Sequence, residues 1–209
     1  MEKAAQQKGI IDPKIIIGGI VALVVIFFIA TGSFKFSTSV KPNSNQPEQT
    51  TPPSQSKPKT YQNEAFGFSL EYPEKWSIKE KPTVSFFVGF FSPQESGSDD
   101  YRENLLIKSV DLSTQPNITL QEAADLWETQ TAEVEGDNFK VTDKKSSTLA
   151  GESAKDIIFD IKDKEIDGQG MVRIILKNSK GYIFQFNALK TSFDKFLPDI
   201  ETILTSVKF

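Results

Sequence analysis

Catalysis and metal binding draw on a few side-chain types, and two of them are missing: the 209 residues include no histidine and no cysteine. Without imidazole there is no Ser-His-Asp or Cys-His machinery and no HExxH zinc pattern. Without thiols there is no zinc knuckle, iron–sulfur ligation or disulfide framework. Carboxylates, hydroxyls and amines remain. The run Asp163-Lys164-Glu165-Ile166-Asp167-Gly168 puts acids at positions one, three and five and glycine at six, as a calcium loop does. Position twelve, which should hold a bidentate glutamate, is Ile174, and both flanks read as strands. The run is therefore expected to be a charged, solvated hairpin loop. Asp163, Glu165 and Asp167 are the metal candidates, and no metal site is predicted. Glu95, Asp99 and Asp100 sit in a Gly/Ser loop and are read as solvated too.

The other motifs are weaker. Ser-x-x-Lys occurs at Ser54–Lys57 and Ser192–Lys195, with an overlapping match at Ser56–Lys59, about as often as chance allows, and without the partner motifs of penicillin-recognising enzymes. Asn117-Ile118-Thr119 is a glycosylation sequon, but Thr119 already has a use as a helix cap. No Gly-rich phosphate loop is present. No catalytic residue emerges, and the chain is expected not to be an enzyme.

The elements that would position such groups begin at Tyr61. Residues 61–209 hold thirteen of the seventeen phenylalanines and both tryptophans, enough for a core. Val84–Ser92 is apolar on both faces and reads as a central strand. Asn104–Leu112 is strand-like, and Ala154–Lys162 sets Ile157, Phe159 and Ile161 on one face. Met171–Lys177 and Tyr182–Ala188 form a hairpin about Asn178–Gly181. Leu149-Ala150-Gly151-Glu152 is a second tight turn, after a strand around Phe139–Thr148. Thr119-Leu120-Gln121-Glu122 is a capping box that opens a helix with Leu120, Ala123, Ala124, Trp127 and Val134 on one stripe. Phe193 to Val207 repeats the helical period. Pro198 opposes the Asp194 carbonyl, so a turn at 192–196 followed by a helix with Pro198 in its first turn is expected. The fold class is α+β, a mostly antiparallel sheet with helices on its faces.

Ahead of this domain the composition changes. Residues 1–14 form a short N-terminus. Ile15–Phe34 is uncharged over twenty residues, the length of a membrane-spanning helix, and Lys14 and Lys35 bound it. It is read as a retained anchor rather than a cleaved signal peptide. Three lysines before it against two soon after favour a cytoplasmic N-terminus, with the domain outside the cytoplasm. Residues 35–60 hold five of the eleven prolines and read as a disordered tether. Residues 1–60 carry 7 basic and 3 acidic side chains, net +4, whereas residues 61–209 carry 17 and 25, net −8. An acidic domain with two arginines is not expected to bind nucleic acid.

The ordered set Tyr61–Trp76 (YQNEAFGFSLEYPEKW), Arg102-Glu103-Asn104, Leu149-Ala150-Gly151 and Phe193-Asp194-Lys195-Phe196-Leu197-Pro198 resembles the PsbP-like domain. The resemblance runs through all of 61–209. It implies the Mog1/PsbP fold, an α/β/α sandwich around an antiparallel sheet. Photosynthetic members are extrinsic subunits of photosystem II that help retain calcium and chloride. Other relatives on the fold include a Ran-binding transport factor and mycobacterial envelope lipoproteins. The anchor and tether depart from the photosynthetic pattern. No cofactor is expected; the resemblance makes calcium possible, but without histidine and with Ile174 at position twelve it is not expected to bind tightly. Carried over residue by residue, Phe66, Gly67, Phe68, Tyr72, Pro73, Trp76, Gly151 and Pro198 look structural. Arg102, Glu103 and Asn104 are the binding candidates, weighed against an ion pair and turn that merely start a strand.

The functional expectation is a non-enzymatic, membrane-tethered, extracytoplasmic interaction or assembly domain with an unidentified protein partner. The alternative is a carrier of lipid or a small apolar ligand, using a cavity between sheet and helix. A carboxylate-only, metal-dependent hydrolase comes last.

Overall fold

The computed structural model describes residues 57–81, 85–97, 99, 101–162 and 166–209. The anchor and nearly all of the tether read from the sequence lie outside the described residues, and so do Asp163, Glu165, Asp100 and Ser54.

Seven antiparallel strands form one sheet in the order β3-β4-β5-β9-β8-β7-β6. These are β3 (Ser77–Glu80), β4 (Val88–Phe91), β5 (Asn104–Asp111), β6 (Phe139–Leu149), β7 (Glu152–Lys162), β8 (Asp167–Lys177) and β9 (Lys180–Leu189). A separate hairpin joins β1 (Lys59–Asn63) to β2 (Phe68–Tyr72). Helix α1 (Leu120–Glu135) connects β5 to the far edge strand β6, and α2 (Phe193–Thr205) follows β9. Because α1 must carry the chain across the sheet, it lies over β6, β7 and β8.

Each face of the sheet is covered by its own set of side chains. On one face Leu105, Ile107, Met171, Ile175, Tyr182, Phe184, Phe186 and Ala188 meet α2 and the β1–β2 hairpin. On the other, Leu106, Ile157, Phe159, Ile161, Val172, Ile174 and Ile183 meet Ala124 and Trp127 of α1. The period-two alternation along β5, β7, β8 and β9 sorts these residues to opposite sides. The chain end adds to the hairpin: Ser69 and Lys208 exchange backbone hydrogen bonds of 2.8 and 2.9 Å. Tyr182 Oη donates to the Phe66 carbonyl at 2.8 Å.

Two hairpins turn as the sequence predicts. Ala150 and Gly151 have φ of 50° and 82°, and Asn178 and Ser179 have 51° and 57°, the positive values that a two-residue type I′ turn needs. Gly170 has another reason to be glycine: a Cβ there would lie 2.2 Å from the ring of Phe159.

Three expectations need correction. Among the described residues of the apolar 84–92 segment, 85–92, strand runs only over Val88–Phe91 and stands second from the edge; the central strand is β9. Burial on both faces comes from the two layers and says nothing about rank in the sheet. Val134 is not on the buried stripe of α1 but 46% exposed, and Thr131 takes the buried position. Val134 stands in the last turn of α1, beside its final residue Glu135, and the buried positions of the helix end at Thr131. The C-terminal helix is not split: it begins at Phe193 with Pro198 inside it. Burial of Phe193, Phe196, Ile200, Ile203 and Leu204 outweighs the one backbone bond that proline removes.

Candidate functional site

Arg102, Glu103 and Asn104 sit where the chain enters β5, beside the end of β4 and the start of α2. Strand β4 ends with carbonyls that need donors, and Arg102 supplies them. Its Nε donates to the Ser92 carbonyl at 2.5 Å, and its Nη2 to the Phe91 carbonyl at 3.1 Å and to Ser77 Oγ at 2.9 Å. The guanidinium lies 5.9 Å from the Phe91 ring centre. Burial pulls its pKa down, and the charge of Asp99 opposes that.

Glu103 is 4% exposed. Ser92 Oγ donates to its Oε2 at 3.0 Å and Ser192 Oγ to its Oε1 at 2.5 Å. Ser192 is the N-cap residue of α2, yet its hydroxyl caps no helix N–H. It turns to Glu103, whose carboxylate sets negative charge at the positive end of the helix dipole. Burial and then the charge of Glu103 push the neighbouring Tyr101 phenol pKa upward.

Asn104 starts a buried chain of amides. Its Nδ2 donates to the Arg102 carbonyl at 3.0 Å, and its Oδ1 accepts from Asn187 Nδ2 at 2.9 Å. Asn187 Oδ1 accepts from Gln185 Nε2 at 2.9 Å, and Gln185 Oε1 is buried without a partner among the described residues. The three candidates thus come together, but they do so by tying β3, β4, β5, β9 and α2 to one another. Arg102 and Glu103 do not bond each other; both meet Ser92, and beyond it Arg102 reaches β3 and β4 while Glu103 reaches Ser192 at the start of α2.

The other candidates are dispersed. Asp167 opens β8, opposite Lys162, and its carbonyl accepts from the Lys190 N–H at 2.9 Å. Asp99 organises its own loop, taking the Glu95 N–H at 2.8 Å on Oδ2. Ser192 and Lys195 do not pair: the serine goes to Glu103, and Lys195 forms an ion pair with Glu95. Asn117 is exposed, and Thr119 closes the capping box with Glu122. Among the described residues no three carboxylates stand close enough to hold a metal ion.

Sequence reasoning missed one polar site. Arg173, on the α2 face of β8, forks onto Asp156 with two bonds of 2.7 Å and onto Glu201 of α2 with two of 3.1 Å. Ser147 Oγ adds a 2.7 Å bond to Asp156. Burial works against the arginine charge, but the bonds to both carboxylates and their charges overcome it, so its pKa is raised. The available signal was an arginine between Met171 and Ile175 on an apolar strand face, where only carboxylates could satisfy it.

Burial also pulls down the pKa of Lys108, which is 6% exposed on β5. A cavity of about 390 Å³ lies where Lys57 and Pro58 enter the domain, beside Tyr72, Pro73, Thr202 and Ser206. A smaller one, about 120 Å³, lies between the first half of α1 and the edge strand β6.

A family model described as PsbP-like protein matches residues 14–209. Among solved structures, cyanobacterial PsbP from Synechocystis aligns with a TM-score of 0.57 at 11% identity, covering 77% of this chain and 97% of its own. That likeness speaks to the fold alone. A protein of unknown function from Pseudomonas aeruginosa aligns at 0.49 with 16% identity, over 71% of this chain and 94% of its own. LpqN, involved in cell envelope biogenesis of Mycobacterium tuberculosis, aligns at 0.48 with 13% identity, over 75% and 86%. No curated protein matches.

Proposed function

The chain belongs to the PsbP-like family, and from that premise we propose that it is a non-enzymatic interaction or assembly domain, tethered to a membrane and held outside the cytoplasm. The observation that carries this reading is the span of the family match. It begins at residue 14, so the uncharged run 15–34 and the proline-rich stretch after it fall within the matched region along with the domain. A twenty-residue apolar run bounded by lysines has the length to cross a bilayer, and a tether of some 26 residues lets a folded domain reach tens of ångströms from it.

The domain interior supports an interaction role over a carrier role. Under α1 the rings of Trp127, Phe139 and Phe159 pack with centres 5.4–6.0 Å apart, Gly170 makes room for Phe159, and the cavity on that side, at the β6 edge, is only about 120 Å³. The resemblance to calcium-retaining relatives does not alter this reading, because in an assembly of many subunits the retention need not lie in this domain.

The test is topological and then chemical. The full-length protein should stay with membranes through carbonate extraction, and protease added to intact spheroplasts should degrade residues 61–209. Crosslinking in the membrane should then capture a defined protein. Release by carbonate, protection from protease, or a domain that crosslinks to nothing would overturn the proposal.

A further inference from the structure

We propose that the outer edge of β6 is a strand-addition site, which takes a short, acidic, extended segment of a partner protein as an eighth strand of the sheet. The inference rests on the interaction-domain reading and names the partner's chemistry. Strand β6 pairs only with β7 among the described residues, and most of its eleven residues are exposed. Its hairpin closes on the Leu149–Glu152 pair around a two-residue turn. The antiparallel ladder alternates from there, so Leu149, Ser147 and Lys145 bond β7, while Thr148, Ser146 and Lys144 point their N–H and C=O groups outward. The Lys144 N–H is already taken by Asp143 Oδ1 at 2.8 Å. No hydrogen bond among the described residues reaches the outward backbone groups of Ser146 and Thr148.

Edge strands are usually defended by bulges and lysines, and β6 has both, unevenly placed. The register break lies between Val141 and Asp143, and with the Asp143 cap it closes the first half of the strand. From Lys144 to Leu149 the ladder is regular. Lysines at 144 and 145 repel basic or self-like strands but suit an acidic one.

A side-chain pocket stands beside this open stretch. The 120 Å³ cavity between α1 and β6 is floored by Ala124 and Ile157 and rimmed by Gln121, Ser146, Lys144 and Lys155. Lys144 is paired with Glu128 of α1, while Lys155 donates to Ser146 Oγ at 3.2 Å. Of the acids that line the cavity, Asp156 is neutralised by Arg173, which leaves Asp125 against Lys145 and Lys155. An added strand pointing alternate side chains to this face would place a carboxylate by Lys155. Main-chain bonds would then supply affinity and the pocket selectivity, as in other strand additions.

The test uses the full chain in lipid nanodiscs and a fluorescein-labelled peptide of alternating aspartate and valine. Saturable binding by anisotropy is expected, with slowed amide exchange at Ser146 and Thr148, and a lysine–valine peptide should not bind. Ser146→Pro removes an outward N–H and no ladder bond, so binding should weaken about tenfold while the melting temperature stays near wild type. Ser147→Pro, which breaks a bond to β7, should lower the melting temperature and so checks the alternation itself. Lys155→Glu should also abolish binding. Equal binding by Ser146→Pro, equal binding of the lysine peptide, exchange protection elsewhere, or no binding at all would overturn the inference. So would a concentration-dependent dimer crosslinked through Lys145, which would put a second copy on this edge. If membrane crosslinks to a partner persist from other surfaces, only the edge assignment falls and the interaction role stands.

Discussion

Replacing Arg173 by methionine tests the largest electrostatic commitment in the domain. Asp156 is 1% exposed, and its carboxylate depends on Arg173 for two of its hydrogen bonds, with Ser147 giving a third. Methionine keeps the aliphatic stem but leaves Asp156 as a buried, uncompensated charge. Breaking a buried pair in this way costs about 3–5 kcal/mol. Glu201 stays 42% exposed and is solvated, so its lost contact adds little. For a domain of this size each kcal/mol moves the melting temperature by about 2–4 °C, so a fall of roughly 10 °C is expected. The decisive comparison is Arg173→Met with Asp156→Leu. If burial of the unpaired charge is the source of the loss, removing both charges should restore most of the stability. Urea titrations of wild type and the three variants measure all of this. A double variant as unstable as the sum of its parts would refute the reasoning, because the loss would then come from packing rather than from the stranded carboxylate.

Other perturbations test other links. Gly170→Ala pushes a methyl to 2.2 Å from the Phe159 ring, so a loss of about 1–3 kcal/mol in urea melts is expected; a neutral result would mean that the aromatic layer under α1 yields. Glu122 has a pKa held below the usual carboxylate range by the N–H and then the hydroxyl of Thr119. Its support for α1 is therefore full above the ordinary glutamate pKa and is lost as pH falls through the lowered one. Amide exchange at Thr119 should quicken across that window in wild type. It should be pH-insensitive, apart from the intrinsic rate, in Glu122→Gln, which keeps the bond without the charge. Millimolar calcium should move the melting temperature little in 150 mM salt, and magnesium should act alike, because the net charge of −8 on residues 61–209 attracts divalent ions diffusely. A calcium-selective rise of several degrees, abolished by Asp163→Ala with Asp167→Ala, would instead mark a saturable site in that loop.

What the sequence made legible was local. The capping box at Thr119 is written in two residues three apart, and its geometry follows from their chemistry. The two tight hairpins are written in Ala150-Gly151 and Asn178-Ser179, turn residues set between strand-like runs. The order of the strands was not legible. That β5 pairs with β9 depends on α1 carrying the chain to the far edge, and no local pattern encodes that choice. Pro198 shows a local rule overruled by packing: the rule gives proline a place in a first turn, but five buried apolar side chains keep one helix running through it.

The polar residues separate along the same line. Arg102, Glu103 and Asn104 are candidates because together they resemble one contiguous element of the PsbP-like domain. In the fold they share Ser92 and one another's backbone and reach out to β3, β4, β9 and α2, so the contiguous motif is a structural joint. Asp156 and Glu201 lie 17 and 28 residues from Arg173, yet the three form one cluster of four side-chain bonds. Charge chemistry inside a sheet is set by register and by the helix that lands on it, and a reading along the chain sees neither. The same argument separates the candidate partner surface from both clusters. Buried charges must be matched within the fold, because an unmatched one costs several kcal/mol. A surface kept for another molecule can leave its hydrogen-bonding groups to water at little cost, as the outward amides of Ser146 and Thr148 do at the edge of β6.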